Sequence, residues 1–500
     1  MLPAVTVDDA LTTQPGSRHR QPPGVLTLAL VEMWERFSFY GMVALLVLFL
    51  IAPEDGPFPP GPGQGFSEID AAALFGCYSA LVLAAPLVGG WIGDRLIGPR
   101  RALVIGAALI ASGHFAILIP GLASFWVGLL VIAAGTGLLK PNISTVLGSL
   151  YSPGDTRRDG GFSLFYLGIN IGAFTAPIIC GALATMFSWR LAFSVAGFGM
   201  LLGLAQYLLG RGRLGDAGRA VPRPADAGER RRALIGAVIA LLVIATIFTA
   251  VIAIAGFSAG TVSGVVTVVV LLAAIGAFWL LLRRRRSTEV EARHLRAFAI
   301  LFVASVVYFA LSSQAGSTIT EFAQDWTDRS FGSWTMPTSW LMSLNPVLVV
   351  CLSPLAALLW TRLGTRAPRT PVKISVGLIG VGAAFLIMVI PALAADRGAS
   401  SGLIWILATF LAITLAELLI VPIALATTTE LAPAGLTGQL LGIWYLAASL
   451  GGAIGGQLAR LVQGLGGGGY FLTCGLVVIA LGLMLMSLRS RWTRLLAPVR

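Results

Sequence analysis

The stretch EMWERFSFYG at residues 32–41 decides the class of this protein, because it places three charged side chains inside an apolar segment. Residues 24–51 otherwise have the composition of a membrane-spanning helix, in which each central charge costs about 2.5–3.5 kcal/mol on insertion scales. With about 100° between successive residues, Glu32, Glu35 and Arg36 share one face of that helix. Charges gathered on one side indicate either the wall of a polar cavity or a buried ion pair that locks two helices together.

The composition of the 500-residue chain is that of a polytopic, all-α membrane protein. Hydrophobic residues make up 57% of the sequence and charged residues 11%, against about 25% charged residues in soluble domains. Apolar runs of about 20 residues predict fourteen membrane-spanning helices. These predicted spans lie at 24–51, 69–92, 101–119, 124–145, 161–186, 190–209, 232–256, 260–284, 296–318, 339–360, 371–392, 402–427, 438–463 and 470–489.

The distribution of basic residues predicts that both termini lie in the cytoplasm. The loops that follow the even-numbered spans are rich in arginine, as at 283–286, whereas the opposite loops carry acidic residues such as Glu54 and Asp55. This bias also accounts for the net charge of +12, so we expect contact with the lipid bilayer of a plasma membrane and no binding of nucleic acid.

The order of spans and polar segments predicts two six-helix bundles separated by a linker and an extra helical hairpin. Such a six-plus-six arrangement is typical of secondary transporters, whose halves move around a site near the middle of the membrane. The predicted segments are a disordered tail at 1–23, a first bundle at 24–209, a linker at 210–231, a hairpin at 232–284, a second bundle at 285–489 and a tail at 490–500.

Charged and amide side chains inside the other predicted spans point to a site shared by the two bundles. Lys140 lies in the first bundle and Glu417 in the second, and each would be costly if it were buried alone. Together with Arg36 they would form a site with a positive and a negative pole, which a zwitterion complements. Asn170 and Asn345 could bond to amide groups between the poles, or could simply join helices.

Other classes of function lack the residues that they need. The sequence has no metal-ligand spacing, nucleotide-binding loop or nucleophile constellation, so we expect neither an enzyme nor a cofactor, and only a proton gradient as energy source. A sensor built on a transporter scaffold would need a sizeable soluble output domain, and the longest polar linker is too short for one.

Four stretches give the sequence a resemblance to the proton-dependent oligopeptide transporter family of the major facilitator superfamily, in its bacterial form. The similarity extends over about residues 24–490, apart from the linker and hairpin. The stretches are EMWERFSFYG at 32–41, GGWIGDRLIGPRRA at 89–102, FSLFYLGINIGAF at 162–174, and SLNP at 343–346 with AELLIVPIALA at 416–426.

The resemblance implies a monomeric symporter that imports di- and tripeptides with protons by alternating access. It implies that Glu32, Glu35 and Arg36 couple protons, and that Arg36 and Lys140 engage the peptide carboxylate. It also implies that Glu417 meets the peptide amine with help from Asn170 and Asn345. It further implies that Tyr40, Tyr78 and Trp444 line the cavity, while Asp94 and Arg95 belong to a gating network.

The sequence departs from the family pattern at four positions. Phe39 replaces a tyrosine, and Val421 replaces a serine common after the glutamate of the tenth family helix. Val43 and Ser313 replace an arginine and a glutamate, and their joint loss suggests that a salt bridge between the halves is absent here, since losing one partner alone would strand a buried charge at about 3–5 kcal/mol. These changes leave open a different cargo, such as a peptide-like natural product, an organic acid or nitrate, and its export instead of import.

Overall fold

The structure is a computed structural model that describes residues 21–152, 155, 157–256, 258–282, 289–363, 366–432 and 437–496. The predictions for residues 1–20 and 497–500 lie outside the described residues. The helices of the first part of the chain are α1 (Gly24–Ile51), α2 (Glu68–Ile92), α3 (Pro99–Ile117), α4 (Leu122–Gly148), α5 (Arg158–Met186), α6 (Trp189–Gly210), α7 (Ala227–Ala255) and α8 (Ala259–Leu282).

The second part of the chain is also helical, with short strands in two loops. Its helices are α9 (Glu289–Ser312), α10 (Thr318–Trp326), α11 (Leu344–Leu363), α12 (Thr370–Ile387), α13 (Val389–Ala395), α14 (Ile404–Leu431), α15 (Thr437–Leu458), α16 (Leu461–Ser487) and α17 (Arg489–Leu496). Strands β1 (Thr327–Asp328) and β4 (Ser401–Gly402) pair in parallel, and β2 (Ser330–Phe331) pairs with β3 (Trp334–Thr335) in antiparallel fashion.

Twelve helices of the described chain are long and apolar enough to cross a membrane, so the protein is an all-α polytopic membrane protein. The predicted number of fourteen spans is not confirmed. Helices do form over the two remaining stretches, as α7 and α15. The apolar part of α7 that qualifies is only Leu242–Ala255, which is short for a membrane crossing. Helix α15 is rich in glycine, which adds little hydropathy.

Helices α1–α6 form one bundle, which we call the first bundle, and helices α9–α17 form the second bundle. In the first bundle, α3 packs on α4, and α1 packs on α5 and α6. In the second bundle, α12 packs on α14 and α16, while α9 packs on α15. Each bundle has buried aliphatic and aromatic side chains of its own, with Phe37 in the first core and Phe385 in the second. Helix α8 packs against α2 and α15, one from each bundle.

Contacts between the two bundles include several on the side where α1 ends at Ile51, which we call the far side; α1 begins on the near side. Helices α2 and α15 cross so closely that a Cβ atom on Gly76 would lie 2.8 Å from the Gly452 carbonyl oxygen. The Trp340 indole N–H donates to the Ile178 carbonyl at 3.1 Å, which joins the segment before α11 to α5. Backbone contact of this kind requires glycine on one helix and fixes how the bundles meet.

Several predicted spans have different ends or are broken in the structure. The span predicted at 296–318 ends as α9 at Ser312, and a 3₁₀ turn at Ser313–Gly316 separates it from α10. The tail predicted at 490–500 contains α17, whose Trp492 is buried against the second bundle. Leu495 and Leu496 of the same helix also pack against the second bundle, so apolar contacts stabilise this short basic segment as a helix.

Candidate transport site

The charged residues of α1 form a compact ion cluster inside the first bundle. The Arg36 guanidinium donates two hydrogen bonds to the Glu35 carboxylate, at 2.5 and 2.6 Å, and its Nε lies 3.5 Å from Glu32. All three side chains are buried. The guanidinium also lies over the Phe39 ring, 4.9 Å from the centroid. Because Glu35 makes this two-point contact, the charge of Arg36 is balanced on its own helix in the structure.

Lys140 brings a second positive charge from α4 to the same region. It lies within electrostatic range of Arg36, Glu35 and Glu32. Within the described part of the chain, no carboxylate oxygen lies within 4.0 Å of its ammonium group. A partly buried ammonium group without a direct counter-ion is suited to receive an anionic group from outside the protein.

Glu417 is the negative group that the second bundle contributes. Its carboxylate accepts a hydrogen bond from the Asn345 side-chain amide at 2.7 Å, and the same amide lies 3.2 Å from the Thr414 hydroxyl. In the described residues no basic nitrogen lies within 4.0 Å of this carboxylate. Asn345 therefore orients Glu417 while leaving its charge uncompensated.

Tyr40 lies near charged groups of both bundles. Its hydroxyl is within electrostatic range of Arg36 and Glu35 in its own bundle and of Glu417 in the other. Tyr166 on α5 is also within range of Glu417. Through Tyr40 the α1 cluster and Glu417 therefore lie around one central region between the bundles.

The remaining predicted cavity residues take different positions. Tyr78 is buried within range of Glu35 and Arg36, and its hydroxyl has no hydrogen-bond partner among the described residues. Asn170 donates to the Tyr166 carbonyl, 2.8 Å away on its own helix. Trp444 is not placed on the central region: it is 2% exposed in the core of the second bundle, and its indole N–H donates to Ser305 at 3.0 Å.

Sequence reasoning missed Tyr445, which follows Trp444 on α15. Tyr445 is 42% exposed and lies within electrostatic range of Arg36, across the boundary between the bundles. Adjacent helical residues point about 100° apart, so only one of the two rings can face the core. Since indole is the larger apolar group, the sequence could have predicted that Trp444 is buried and Tyr445 exposed.

The positions that depart from the family pattern fit this arrangement. Val43 is buried in the core of the first bundle, and the turn that begins at Ser313 packs against α1. Replacing both charged groups leaves neither one stranded at these positions. Val421 packs on the core of the second bundle.

Asp94 and Arg95 lie on the near side, in a π-helical turn that spans Gly93–Ile97, and not at the central region. The Arg95 guanidinium forms a 2.7 Å ion pair with Glu229 at the start of α7. The backbone N–H of Arg223 donates to the Asp94 carbonyl at 3.1 Å. The segment predicted as the linker at 210–231 is therefore tied by hydrogen bonds to the turn between α2 and α3.

Two helical bundles with charged groups from each directed at a central region define a secondary transporter. The model of the POT family, PTR2, matches residues 100–466. An uncharacterized transporter of Bacillus subtilis (strain 168), YclF, is 37% identical over 93% of each chain. A di-/tripeptide transporter of Lactococcus lactis subsp. cremoris is 35% identical over 96% of this chain and 97% of its own.

The solved structures agree with these sequence matches. A mutant of a peptide transporter, POT, in complex with alafosfalin superposes with a TM-score of 0.86 at 35% identity, and covers 95% of this chain and 96% of its own. The chain belongs to the POT family of proton-dependent oligopeptide transporters. The protein is accordingly a transporter with the major facilitator fold and not an enzyme.

Proposed function

We propose that this protein imports di- and tripeptides together with protons by alternating access. The observation that carries the proposal is the arrangement of Arg36 and Lys140 on one side and Glu417 on the other, with Tyr40 within electrostatic range of Arg36 and Glu417. A peptide has a carboxylate at one end and an ammonium group at the other, so it complements these poles. The relative from Lactococcus lactis is named a di-/tripeptide transporter.

The ion pair on α1 suggests how a proton is coupled to the peptide. In the structure Glu35 holds Arg36 in a bidentate contact. A proton on Glu35 removes its charge and releases the guanidinium, which then joins Lys140 in binding the peptide carboxylate. Loss of the proton restores the pair and expels the carboxylate. A carboxylate oxygen of Glu32 lies 3.5 Å from Arg36 Nε, so Glu32 takes part in the same release and binding of a proton.

The polar contacts at the other pole suggest how the amine is held. Asn345 fixes the Glu417 carboxylate, which receives the peptide ammonium, and Asn170 and Tyr166 offer hydrogen-bonding groups near it. Tyr40 and Tyr78 form the wall on the first bundle, and Tyr445 takes the role that the sequence gave to Trp444. Asp94 and Arg95 control the near side through the linker.

The proposed topology follows the sequence prediction. It comprises a first bundle at 24–209, a linker at 210–231, a hairpin at 232–284 and a second bundle at 285–489, with fourteen spans in a bacterial plasma membrane and termini in the cytoplasm. The protein acts as a monomer. The far side then faces outwards, and its close contacts between the bundles, as at Gly76 and Gly452, support a closed outer entrance in this proposal.

A second candidate cargo is a small anion or a peptide-like compound. It is favoured by Lys140, which has no carboxylate within 4.0 Å among the described residues, and by the loss of a hydroxyl group at Phe39. Such a cargo would use the positive pole and need Glu417 less than a peptide does.

Uptake by purified protein in liposomes tests the proposed function. One proton per cycle provides about 1.36 kcal/mol per pH unit, which corresponds to about tenfold accumulation of a neutral zwitterion. We expect a labelled dipeptide to accumulate about tenfold when the outside is made one pH unit more acidic and the membrane potential is clamped at zero. Nitrate and a labelled organic acid serve as competitors. The proposal would be contradicted if the dipeptide equilibrated without accumulating. It would also be contradicted if the anions were the only compounds that competed for uptake.

A further inference from the structure

A cavity of about 150 Å³ on the far side is surrounded by acidic groups and is separate from the transport site. Four carboxylates line it, together with apolar side chains such as Phe322 and Phe471. No lysine, arginine or histidine is among the residues that the structure shows lining it. The four acidic residues, which we call the far-side carboxylate cluster, are Glu68, Glu321, Asp325 and Asp396.

The cluster joins the two bundles. Glu68 begins α2 of the first bundle, whereas Glu321 and Asp325 lie on α10 of the second. Glu68 and Asp325 line the cavity together and lie within electrostatic range of each other. An ionised carboxylate only accepts hydrogen bonds, so a hydrogen bond between the two groups would require a proton on one of them.

Unpaired polar atoms point into the same cavity. Glu321 is 4% exposed, and one of its carboxyl oxygens has no hydrogen-bond partner in the described part of the protein. The Thr318 hydroxyl, one turn earlier on α10, is 9% exposed and likewise lacks a described partner. By contrast, Asp396 accepts the backbone N–H groups of Gly467 and Gly468, at 3.0 and 2.9 Å. A buried carboxylate oxygen without a donor is costly, so the Glu321 oxygen favours the presence of a proton in this group of acids.

The other charged and titratable groups nearby do not neutralise the cluster. Arg329 after β1 acts on Asp325 electrostatically, but two of its N–H groups donate to the carbonyls of Met336 and Gln324. Tyr470 on α16 is within range of Glu321 and is hydrogen-bonded to Gln314. Asp328 accepts the Ser330 N–H, and Arg460 lines a different groove with Asp70.

We propose that the far-side carboxylate cluster is a second proton-binding site, in which a proton shared by Glu68 and Asp325 holds the outer ends of the two bundles together. The described residues contain no group of acidic, histidine or cysteine side chains with the geometry of a metal site, which favours a proton over a metal ion. When the proton leaves, two like charges face each other across the bundle boundary, and repulsion separates the bundles on the far side.

This inference rests on the proposed alternating access and adds to it a site distinct from Glu35. It also bears on the loss of the family glutamate at Ser313. That position lies on the turn immediately before α10, eight residues before Glu321. The far-side carboxylate cluster then places acidic groups on this part of the second bundle although Ser313 is not acidic.

A spin-label distance measurement on the full chain in lipid nanodiscs tests the proposal without substrate. Labels at Phe58 and Arg397, both exposed on far-side loops, report the separation of the bundles there, with Cys351 replaced by serine because it is exposed. Between about pH 5 and about pH 8.5, a range above the ordinary values of carboxyl groups, the ratio of open to closed populations should rise by up to about tenfold per pH unit.

Two amide variants and one control decide whether the far-side carboxylate cluster causes the pH response. In Glu68→Gln the amide donates to Asp325 without any added proton, so the far side should stay closed at every pH. In Asp325→Asn the new amide donates to Glu68, so the far side should again stay closed at every pH. This second variant keeps the test valid if the first one does not fold. Asp70→Asn is the matched control, because Asp70 pairs with Ser67 away from the cavity, and it should respond like the unmodified chain.

The possible outcomes separate this proposal from the proposed function. A distance response that is independent of pH in the unmodified chain, or one that persists in both amide variants, overturns the proton-binding site. Closure by calcium at high pH also overturns it, because the occupant would then be a metal ion. A pH response that is retained in Glu35→Gln and lost in Glu68→Gln supports the cluster, even if peptide uptake fails.

Discussion

Glu35→Gln is expected to abolish accumulation of peptide under a pH gradient and to leave exchange of peptide across the membrane intact. Glutamine cannot release a proton, and it cannot hold Arg36 as the carboxylate does through its two hydrogen bonds. The guanidinium is then available to peptide in either access state, so binding persists without a link to protons. The expected result is a fall from about tenfold accumulation to none for a gradient of one pH unit.

Counterflow of labelled dipeptide in the same liposomes is the control measurement for this variant. Preserved counterflow shows that the protein is folded and binds peptide. The matched variant is Glu54→Gln, in an exposed far-side loop, which should accumulate peptide like the unmodified chain. Accumulation by Glu35→Gln at the unmodified level would show that this carboxylate does not couple the proton.

Glu417→Ala is expected to weaken binding of a free dipeptide by about 30-fold or more, while an N-acetylated dipeptide loses little. Removing one partner of a buried charge pair costs about 2–5 kcal/mol, and each 1.4 kcal/mol is about tenfold in affinity. The acetylated peptide has no ammonium group, so it forfeits nothing when the carboxylate is removed. Isothermal titration of the purified protein with each peptide measures the difference.

A glutamate on the same helix provides the control for that loss. Glu430 is exposed near the end of α14, and Glu430→Ala should bind the free and acetylated peptides like the unmodified chain. Equal losses for the two peptides in Glu417→Ala would assign this carboxylate a structural role, since the Asn345 amide would lose its hydrogen bond to Glu417.

Features that depend on local composition and periodicity could be predicted from the sequence. The apolar runs gave the helices, and the placement of Glu32, Glu35 and Arg36 on one face of α1 agrees with their ion cluster in the structure. Lys140 and Glu417 stood out because charges inside apolar helices are rare. The four motif stretches indicated the family, which the comparisons confirm.

Features that depend on tertiary contacts could not be predicted in this way. The break between α9 and α10 has no proline, and it lies where Gly316 approaches the Phe75 ring of α2 too closely for a side chain. The ion pair of Arg95 with Glu229 joins residues far apart in the chain. The far-side carboxylate cluster combines acids from loops and helix ends, each of which resembles an ordinary solvated charge in the sequence.

Binding of one dipeptide in four forms tests most directly whether the charges of the two bundles act on the same ligand. The forms are the free peptide, the N-acetyl peptide, the C-terminal amide and the doubly capped peptide, each titrated against Lys140→Ala and Glu417→Ala. We predict that Lys140→Ala weakens only the forms with a free carboxylate, and that Glu417→Ala weakens only those with a free amine. If the two variants lose affinity for the same forms, or for none, the two charges do not hold opposite ends of one peptide.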